Sequence, residues 1–485
     1  MLSSLLAFQF FSFGHVYNAL EGGLHPRGMQ IKSSLLAWLW VILFLAGSYL
    51  ITQLKSAKKA TRLLNLVSGL LVVFILFSIW ATADVKNDLT PQEEQALAQL
   101  RGQQEAEADR PELRESDLPD IYYVIFDGYV RADYLKKYYQ YNNAQFLDEL
   151  KQRGFTILSD SRSNYLNTNY SINSSLNLVY FHQYPKDIFN KTKYNLYTNY
   201  VHEFLDEYDY QTVVFDSGTG DTNDQEKDIF VRPNLSGSRG KDILNSFEQF
   251  FLRTTMGLLL FNDPSSSGEN PEADNVVRSI VNRQLDVRRE RIRHALNHLP
   301  DYANRDGHYF LFSHIYLPHI PFLYGPGGKE LRYQENQNLY WYQVEPENYN
   351  EYYGYQIEYL NQATLKVIDE ILENSTKPVV IILQSDHGDG KYLDRDHPTR
   401  KGVEVRSAIL NAIYFSDGAT QAIYPSMTPV NTFRVTFNHW FGTRYPVLQD
   451  RVYFHEHPLS TGITEKPEFI DSCQHFDVCL PSPPR

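Results

Sequence analysis

Three things are scarce in this chain. Positive charge is one: 45 Lys and Arg stand against 58 Asp and Glu, a formal net charge of −13. That balance leaves no basic surplus for a non-specific hold on nucleic acid, so nucleic acid is not an expected partner. Cysteine is another, since only Cys473 and Cys479 occur in 485 residues. His475 lies between them, but the spacing matches no standard zinc pattern. The pair reads instead as a small disulfide near the C-terminus, formed in an oxidising compartment. The third is repetition: no internal repeat is visible. What is abundant is tyrosine, with 35 residues. Its flat apolar ring and hydroxyl suit sugar or head-group contacts, although most such residues serve as half-buried packing. The length allows a large core, and an α/β domain of roughly 200–350 residues fits easily.

The N-terminus is apolar where the rest is polar. Residues 34–54 and 63–83 are each nearly uncharged, rich in Leu, Val, Ile, Phe and Trp, and long enough to cross a bilayer. Between them lie Lys55, Lys58, Lys59 and Arg62 with no acid, and short basic loops stay cytoplasmic. The chain is therefore expected to leave the second span on the outer side. Residues 1–13 are apolar but short, either a truncated span or an interfacial segment. They lack the basic n-region and small-residue cleavage site of a signal peptide. The expectation is an integral membrane protein of the cell membrane, with residues 1–83 as anchor and the remainder extracytoplasmic.

Residues 84–117 are polar and acidic, open a helix-like stretch at Pro91-Gln92-Glu93-Glu94, and read as a stalk. A globular domain follows over 118–455, with 456–485 as a tail holding the two cysteines. Buried strands are predicted at Ile121–Asp127, Gln211–Asp216, Tyr309–His314, Pro378–Leu383 and Ala408–Phe415. Helical spacing appears at Asn143–Gly154 and Val276–Leu299, and Asn262–Gly268 reads as a surface loop. Buried strands separated by helical patterns imply an α/β fold: a mostly parallel central sheet flanked by helices, preceded by transmembrane helices. Ligands of such folds collect at the carboxyl ends of the strands. There the chain has Asp127, Asp216, His314 and the adjacent pair Asp386-His387, which is a metal-site vocabulary.

Asp127, Asp386 and His387 thus supply two carboxylates and an imidazole for a divalent cation. The hydroxyl-rich stretch Ser163–Asn177 could supply a nucleophile, and its last part could open a helix whose amides face an anion. Taken in order, these pieces resemble the sulfatase-type branch of the alkaline-phosphatase superfamily, which holds arylsulfatases, lipoteichoic-acid synthases and phosphoethanolamine transferases. The resemblance covers roughly 118–455. It rests on the strand ending Asp127-Gly128-Tyr129, the Ser-Asn-Tyr…Thr…Ser…Ser-Ser-Leu-Asn segment, His314…Pro318-His319…Pro321-Phe322, and Ser385-Asp386-His387-Gly388. Pro429-Val430-Asn431-Thr432-Phe433-Arg434 is similar to a segment of bacterial membrane-anchored sulfatase-like proteins of undefined substrate.

The resemblance implies Asp127, Asp386 and His387 as metal ligands. It implies Ser171 as nucleophile and metal ligand, with Thr168 as runner-up, and His319 as the histidine that meets the transferred group or leaving oxygen. His314 and His397 become candidates for a second metal or an acid–base role. Two departures bear on the chemistry. Arg is absent four residues after Ser171, where formylglycine formation in sulfatases requires it. The acid-plus-ligand pair is Asp-His where sulfatases have Asp-Asn, which favours manganese or zinc over calcium or magnesium. The expected function is a membrane-anchored, metal-dependent phosphoryl-type hydrolase or transferase acting on a lipid head group or envelope glycan. The alternatives are a sulfuric-ester hydrolase and a catalytically silent glycan-binding protein.

Overall fold

The computed structural model describes residues 2–24, 33–53, 58, 61–62, 89–108, 110–192, 199–218, 229–235, 255–256, 271–332, 348–455 and 468–483. Two units are distinguished: Met1–Lys86 with Ser236–Gln284 and Tyr333–Asn336, and Asn87–Leu235 with Leu285–Arg332 and Gln337–Arg485.

In the first unit, α1 (Leu2–Leu24) and α2 (Ser33–Thr52) pack together. From Leu35 to Thr52 the second helix is long and apolar enough to cross a membrane. The first helix is longer than the apolar segment expected at 1–13, and it is held by more than grease. Gln9 Nε2 donates to the Trp40 carbonyl at 3.1 Å, Trp40 Nε1 donates to the Gln9 carbonyl at 3.0 Å, and Phe13 meets the Trp40 ring edge-on. The span expected at 63–83 and the loop at 262–268 lie outside the described residues.

The second unit is built on a seven-stranded sheet in the order β2-β7-β6-β1-β5-β3-β4. Its strands are β1 (Asp120–Phe126), β2 (Thr156–Ile157), β3 (Tyr210–Phe215), β4 (Ile229–Val231), β5 (His308–Ile315), β6 (Val379–Ser385) and β7 (Asn411–Phe415). Strands β6, β1, β5, β3 and β4 are mutually parallel, and β7 pairs antiparallel with both β6 and β2. The expected fold class is the one observed. The run expected from Ala408 enters the sheet only at Asn411, because Ala408 and Ile409 make isolated bridges to Arg162 and Val130 first.

All seven residues of β1 are buried, which is why Ile121–Phe126 is a continuous apolar run rather than an alternation. One face of the sheet meets α9 (Thr432–Trp440), where Tyr123 packs edge-on against Phe433 at 5.0 Å. Ile121, Ile125, Phe310 and Ile382 complete that layer, each contributing roughly 1.5–3 kcal/mol by burial. Over another part runs α7 (Tyr349–Asn374), a helix that the sequence reading did not identify. It is tied to the sheet's carboxyl edge: its Tyr353 donates to the Gly128 carbonyl at 2.6 Å, and its Asn361 accepts from the Tyr129 phenol at 2.7 Å.

The stalk expectation is corrected. Residues 89–108 are built into the second unit. Helix α3 (Pro91–Arg101) starts at a Thr90–Glu93 capping box, Pro91 opens its first turn, and Gly102 closes it at φ 70°. Its outer face is polar, and that polarity suggested a stalk, but Leu97 on the other face is buried beside Phe181 and Tyr184. Arg101 donates to the Asn177 carbonyl and side chain at 3.2 and 3.3 Å. The tail folds back as well: β8 (Tyr453–Phe454) pairs with β9 (Ile470–Asp471), and Cys473 and Cys479 form the expected disulfide. Leu97→Ala is therefore expected to lower stability by about 2–4 kcal/mol, measured by thermal or denaturant unfolding of the full chain in detergent. A free stalk would show no change.

Candidate metal centre

Strands β1 and β6 are neighbours in a register that places Phe126 opposite Ser385. The next residue of each, Asp127 and Asp386, therefore leaves the sheet at the same level. Gly128, at φ 79°, and Gly388 then turn the two chains away. Asp127, Asp386 and His387 offer ligand atoms within 4.8 Å of one another, all buried.

The loop is held from below. Ser385 Oγ donates to the carbonyls of Phe126 (2.7 Å) and His387 (2.6 Å) and accepts from the Tyr129 amide; with one proton, it serves the two carbonyls in alternation. Asp386 Oδ1 accepts the amides of Gly128 (3.0 Å) and His387 (2.8 Å). Asp386 Oδ2, 3.2 Å from His387 Nε2, and Asp127 Oδ1 are buried and accept no hydrogen bond from the described residues. His387 Nδ1 lies 3.0 Å from the Gly388 carbonyl, which assigns the proton to Nδ1 and the lone pair to Nε2. Two orphaned carboxylate oxygens beside an outward-facing imidazole lone pair are what a divalent cation satisfies. The donor set fits such an ion.

Thr168 and Ser171 are placed differently. The stretch opens α5 (Thr168–Asn177), with Asn167 as N-cap accepting the Asn169 amide. Thr168 is the first helical residue, and its Oγ1 stands 3.1 Å from His387 Nε2. Ser171 is one turn further in, buried, with a hydroxyl that makes no hydrogen bond. Ser174 and Ser175 are structural: the first donates to the Val179 carbonyl, and the second donates to Pro429 and accepts from Tyr123. The Asn167-Thr168 pair was a readable N-cap signal. The expectation of Ser171 rests on its spacing to Ser174 and Ser175, which says nothing of where the helix begins.

His314 Nε2 lies 3.6 Å from Asp127 Oδ2. The His319 amide donates to the Asp127 carbonyl at 3.0 Å, and its Nδ1 faces the Ile320 carbonyl at 2.6 Å. His397 is not brought in; it is exposed on the surface, 3.8 Å from Asp394. Asp216 is also elsewhere, paired with Arg291 at 3.0 Å.

Two residues of the site left no mark in the sequence. Arg406 is buried at the end of α8 (Arg400–Ser407). A Cβ at position 388 would sit 2.2 Å from the Val405 carbonyl, so Gly388 is what allows this segment to lie against the ligand loop. Arg406 then donates to the Gly388 carbonyl at 2.9 Å, to the Leu166 carbonyl at 3.1 Å, and to His387 Nε2 at 2.7 Å. Arg288, on α6 (Pro271–His298), donates to the carbonyls of Tyr316, His319 and Ile320 and stacks on the Tyr316 ring. Among the described residues neither arginine has a carboxylate within ion-pair distance. Asp389 is fixed separately by the phenols of Tyr139 and Tyr349, both at 2.7 Å.

Burial dominates the electrostatics. It pushes Asp127 up to about 7, against the pull of the Arg406 and Arg288 charges. It also raises Asp386 well above the usual carboxylate range, reinforced by the charge of Asp127. It drives His314 and His319 down to about 3, aided by neighbouring positive charge, so both are neutral at physiological pH.

Because both carboxylates are raised, the cation-free protein holds protons there that a cation must expel. Mn2+ affinity should therefore climb as pH rises through about 7, with proton release in calorimetry; a flat profile would contradict the assignment. Asp386→Asn should reduce bound metal from stoichiometric to trace, by elemental analysis of the purified chain, with the far-ultraviolet dichroism unchanged. Undiminished metal would remove Asp386 from the site.

No family model matches the chain, and no curated protein matches it. Among solved structures it is similar to the C-terminal periplasmic domain of EcEptC from Escherichia coli, at 13% identity over 76% of this chain and 97% of that one, with a TM-score of 0.43. It is similar to the C-terminal periplasmic domain of phosphoethanolamine transferase EptC from Campylobacter jejuni, at 13% identity over 68% and 91%, with a TM-score of 0.40. The integral membrane protein lipooligosaccharide phosphoethanolamine transferase A from Neisseria meningitidis also matches, at 13% identity over 86% and 75%, with a TM-score of 0.37.

Proposed function

We propose that the chain is a membrane-anchored, extracytoplasmic enzyme that moves a phosphoryl-type group from a lipid head group or envelope glycan through Thr168. The observation that carries this reading is the position of the Thr168 hydroxyl, at the first turn of a buried helix and 3.1 Å from His387 Nε2. Asp127, Asp386 and His387 would hold the divalent cation, manganese or zinc by ligand type; when bound, it makes the threonine alkoxide accessible near neutral pH and neutralises charge on the transferred group.

Thr168 Oγ1 attacks the phosphorus, the bond from phosphorus to the donor's ester oxygen breaks, and the hydroxyl's proton ends on that leaving oxygen; the group stays on the threonine until water or an acceptor hydroxyl removes it. Arg288 and Arg406 offset the two ligand carboxylates, so the pocket carries no excess negative charge against an incoming anion. The Nδ1 of His319 is turned to a carbonyl, which leaves Nε2 as a lone-pair acceptor. A neutral histidine of this kind suits taking the proton of the accepting hydroxyl better than donating one to a leaving group.

At Asn167 a shallow groove is lined by Tyr165, Tyr170, Leu393, Arg395, Tyr453 and His455. Ring faces and one cation suit a polar head group or sugar ring, and here the donor's non-reacting part would lie. Thr168 also argues against sulfatase chemistry of the formylglycine kind, since its carbinol carbon bears a methyl group and cannot become an aldehyde.

Intact-mass spectrometry after exposing the metal-loaded full chain to mixed envelope lipids and glycans tests this. Wild type and Ser171→Ala should both gain a phospho-head-group increment, and Thr168→Ala should not. An increment lost only in Ser171→Ala would move the nucleophile to Ser171. No increment in any form would overturn the phosphoryl reading in favour of sulfate esters.

A further inference from the structure

Arg406 is a buried cation whose hydrogen bonds all end on neutral acceptors. Guanidinium cannot give up its proton in a protein, so the nitrogen 2.7 Å from His387 Nε2 must be donating, and the lone pair it occupies is the one a cation needs. The other two nitrogens are anchored on backbone: Nε on the Leu166 carbonyl, two residues before the nucleophile, and Nη1 on the Gly388 carbonyl. That last carbonyl also receives His387 Nδ1, so imidazole and guanidinium are locked in one frame. Thr168 Oγ1 approaches the same Nε2 atom.

From this arrangement we infer that Arg406 is a cation-gated oxyanion ligand. Its Nη2 caps His387 Nε2; a cation held by Asp127, Asp386 and His387 would take that lone pair and free the N–H for an oxygen of a tetrahedral anion, a phosphate or sulfate ester, presented to Thr168. The inference rests on the proposed cation site but goes beyond it. The two backbone anchors persist through the change, so only the third nitrogen needs a new partner, and the nearest place for one is beside the threonine hydroxyl.

The thermodynamic consequence is reciprocal coupling. Cation and oxyanion must each tighten the other, because each needs Arg406 in the same position. Replacing the arginine should remove a competitor and a like charge, so the cation should bind more tightly rather than less.

The experiment is a Mn2+ titration of the full chain in detergent, following free Mn2+ by electron paramagnetic resonance, with and without inorganic phosphate. In wild type, phosphate should tighten Mn2+ by about tenfold, within the usual range of such couplings. In Arg406→Gln, Mn2+ alone should bind about tenfold more tightly, and the phosphate effect should vanish. Arg406→Lys, which cannot keep both anchors and the third bond, should show tightened Mn2+ and a reduced phosphate effect. Weaker Mn2+ binding in folded variants, or phosphate coupling that survives in both, would overturn the inference and make Arg406 a brace. Wild type that binds Mn2+ without any phosphate effect would overturn it while leaving the cation site intact. Wild type that binds neither Mn2+ nor Zn2+ would overturn the underlying reading as well.

Discussion

The site depends on one pairing, the parallel ladder between β1 and β6. Its register sets Phe126 against Ser385, and a slip of one residue would send both acids to the wrong face of the sheet. Everything else at the centre elaborates that contact. The Gly128 amide on one strand's exit holds the Asp386 carboxylate on the other, and Ser385 Oγ spans the same gap. The two halves of the ligand set are thus tied by hydrogen bonds before any ion is bound, and the cost of ordering them is met in folding.

The second constraint is charge. Two carboxylates and two guanidinium groups are buried within one small region, and the arginines are held by carbonyls rather than paired to the acids. Removing charges from water is costly, and here it is offset by many backbone acceptors instead of by contact ion pairs. That choice leaves the carboxylate oxygens open. A direct Arg–Asp bridge would have stabilised the fold and consumed the ligands.

Much of this could be read from the chain before its structure. Continuous apolar runs ending in Asp-Gly and Asp-His-Gly announced buried parallel strands with a cation site at their carboxyl ends, and β1, β3, β5 and β6 lie where those runs are. Other parts resisted. The proposal of Thr168 over Ser171 turns on where a helix begins, to within a residue, and that start is marked by one side-chain hydrogen bond of Asn167. Arg406 and Arg288 reach the centre through contacts made only after the sheet is assembled, and no local periodicity marks them. Helix α3 looked like a solvated stalk because its acidic face dominates its composition, while Leu97 and Arg101 carry its docking. His397 sits near the ligand pair in sequence, yet the loop carries it to the surface.

The tyrosines supply a last consequence. Phenols brace the ligand loops: Tyr353 on Gly128, Tyr139 and Tyr349 on Asp389, Tyr123 beneath α5. Burial pushes the phenols of Tyr123, Tyr139 and Tyr353 further above their ordinary value near 10. On the extracytoplasmic side proposed for it, the domain would meet whatever acidity its surroundings impose, without a cytoplasm to buffer it. A scaffold joined by phenol hydroxyls does not register those changes, whereas one joined by histidines or exposed ion pairs would. The phenol donors around the ligand loops therefore stay protonated while the site carboxylates, Asp127 and Asp386, take up the change.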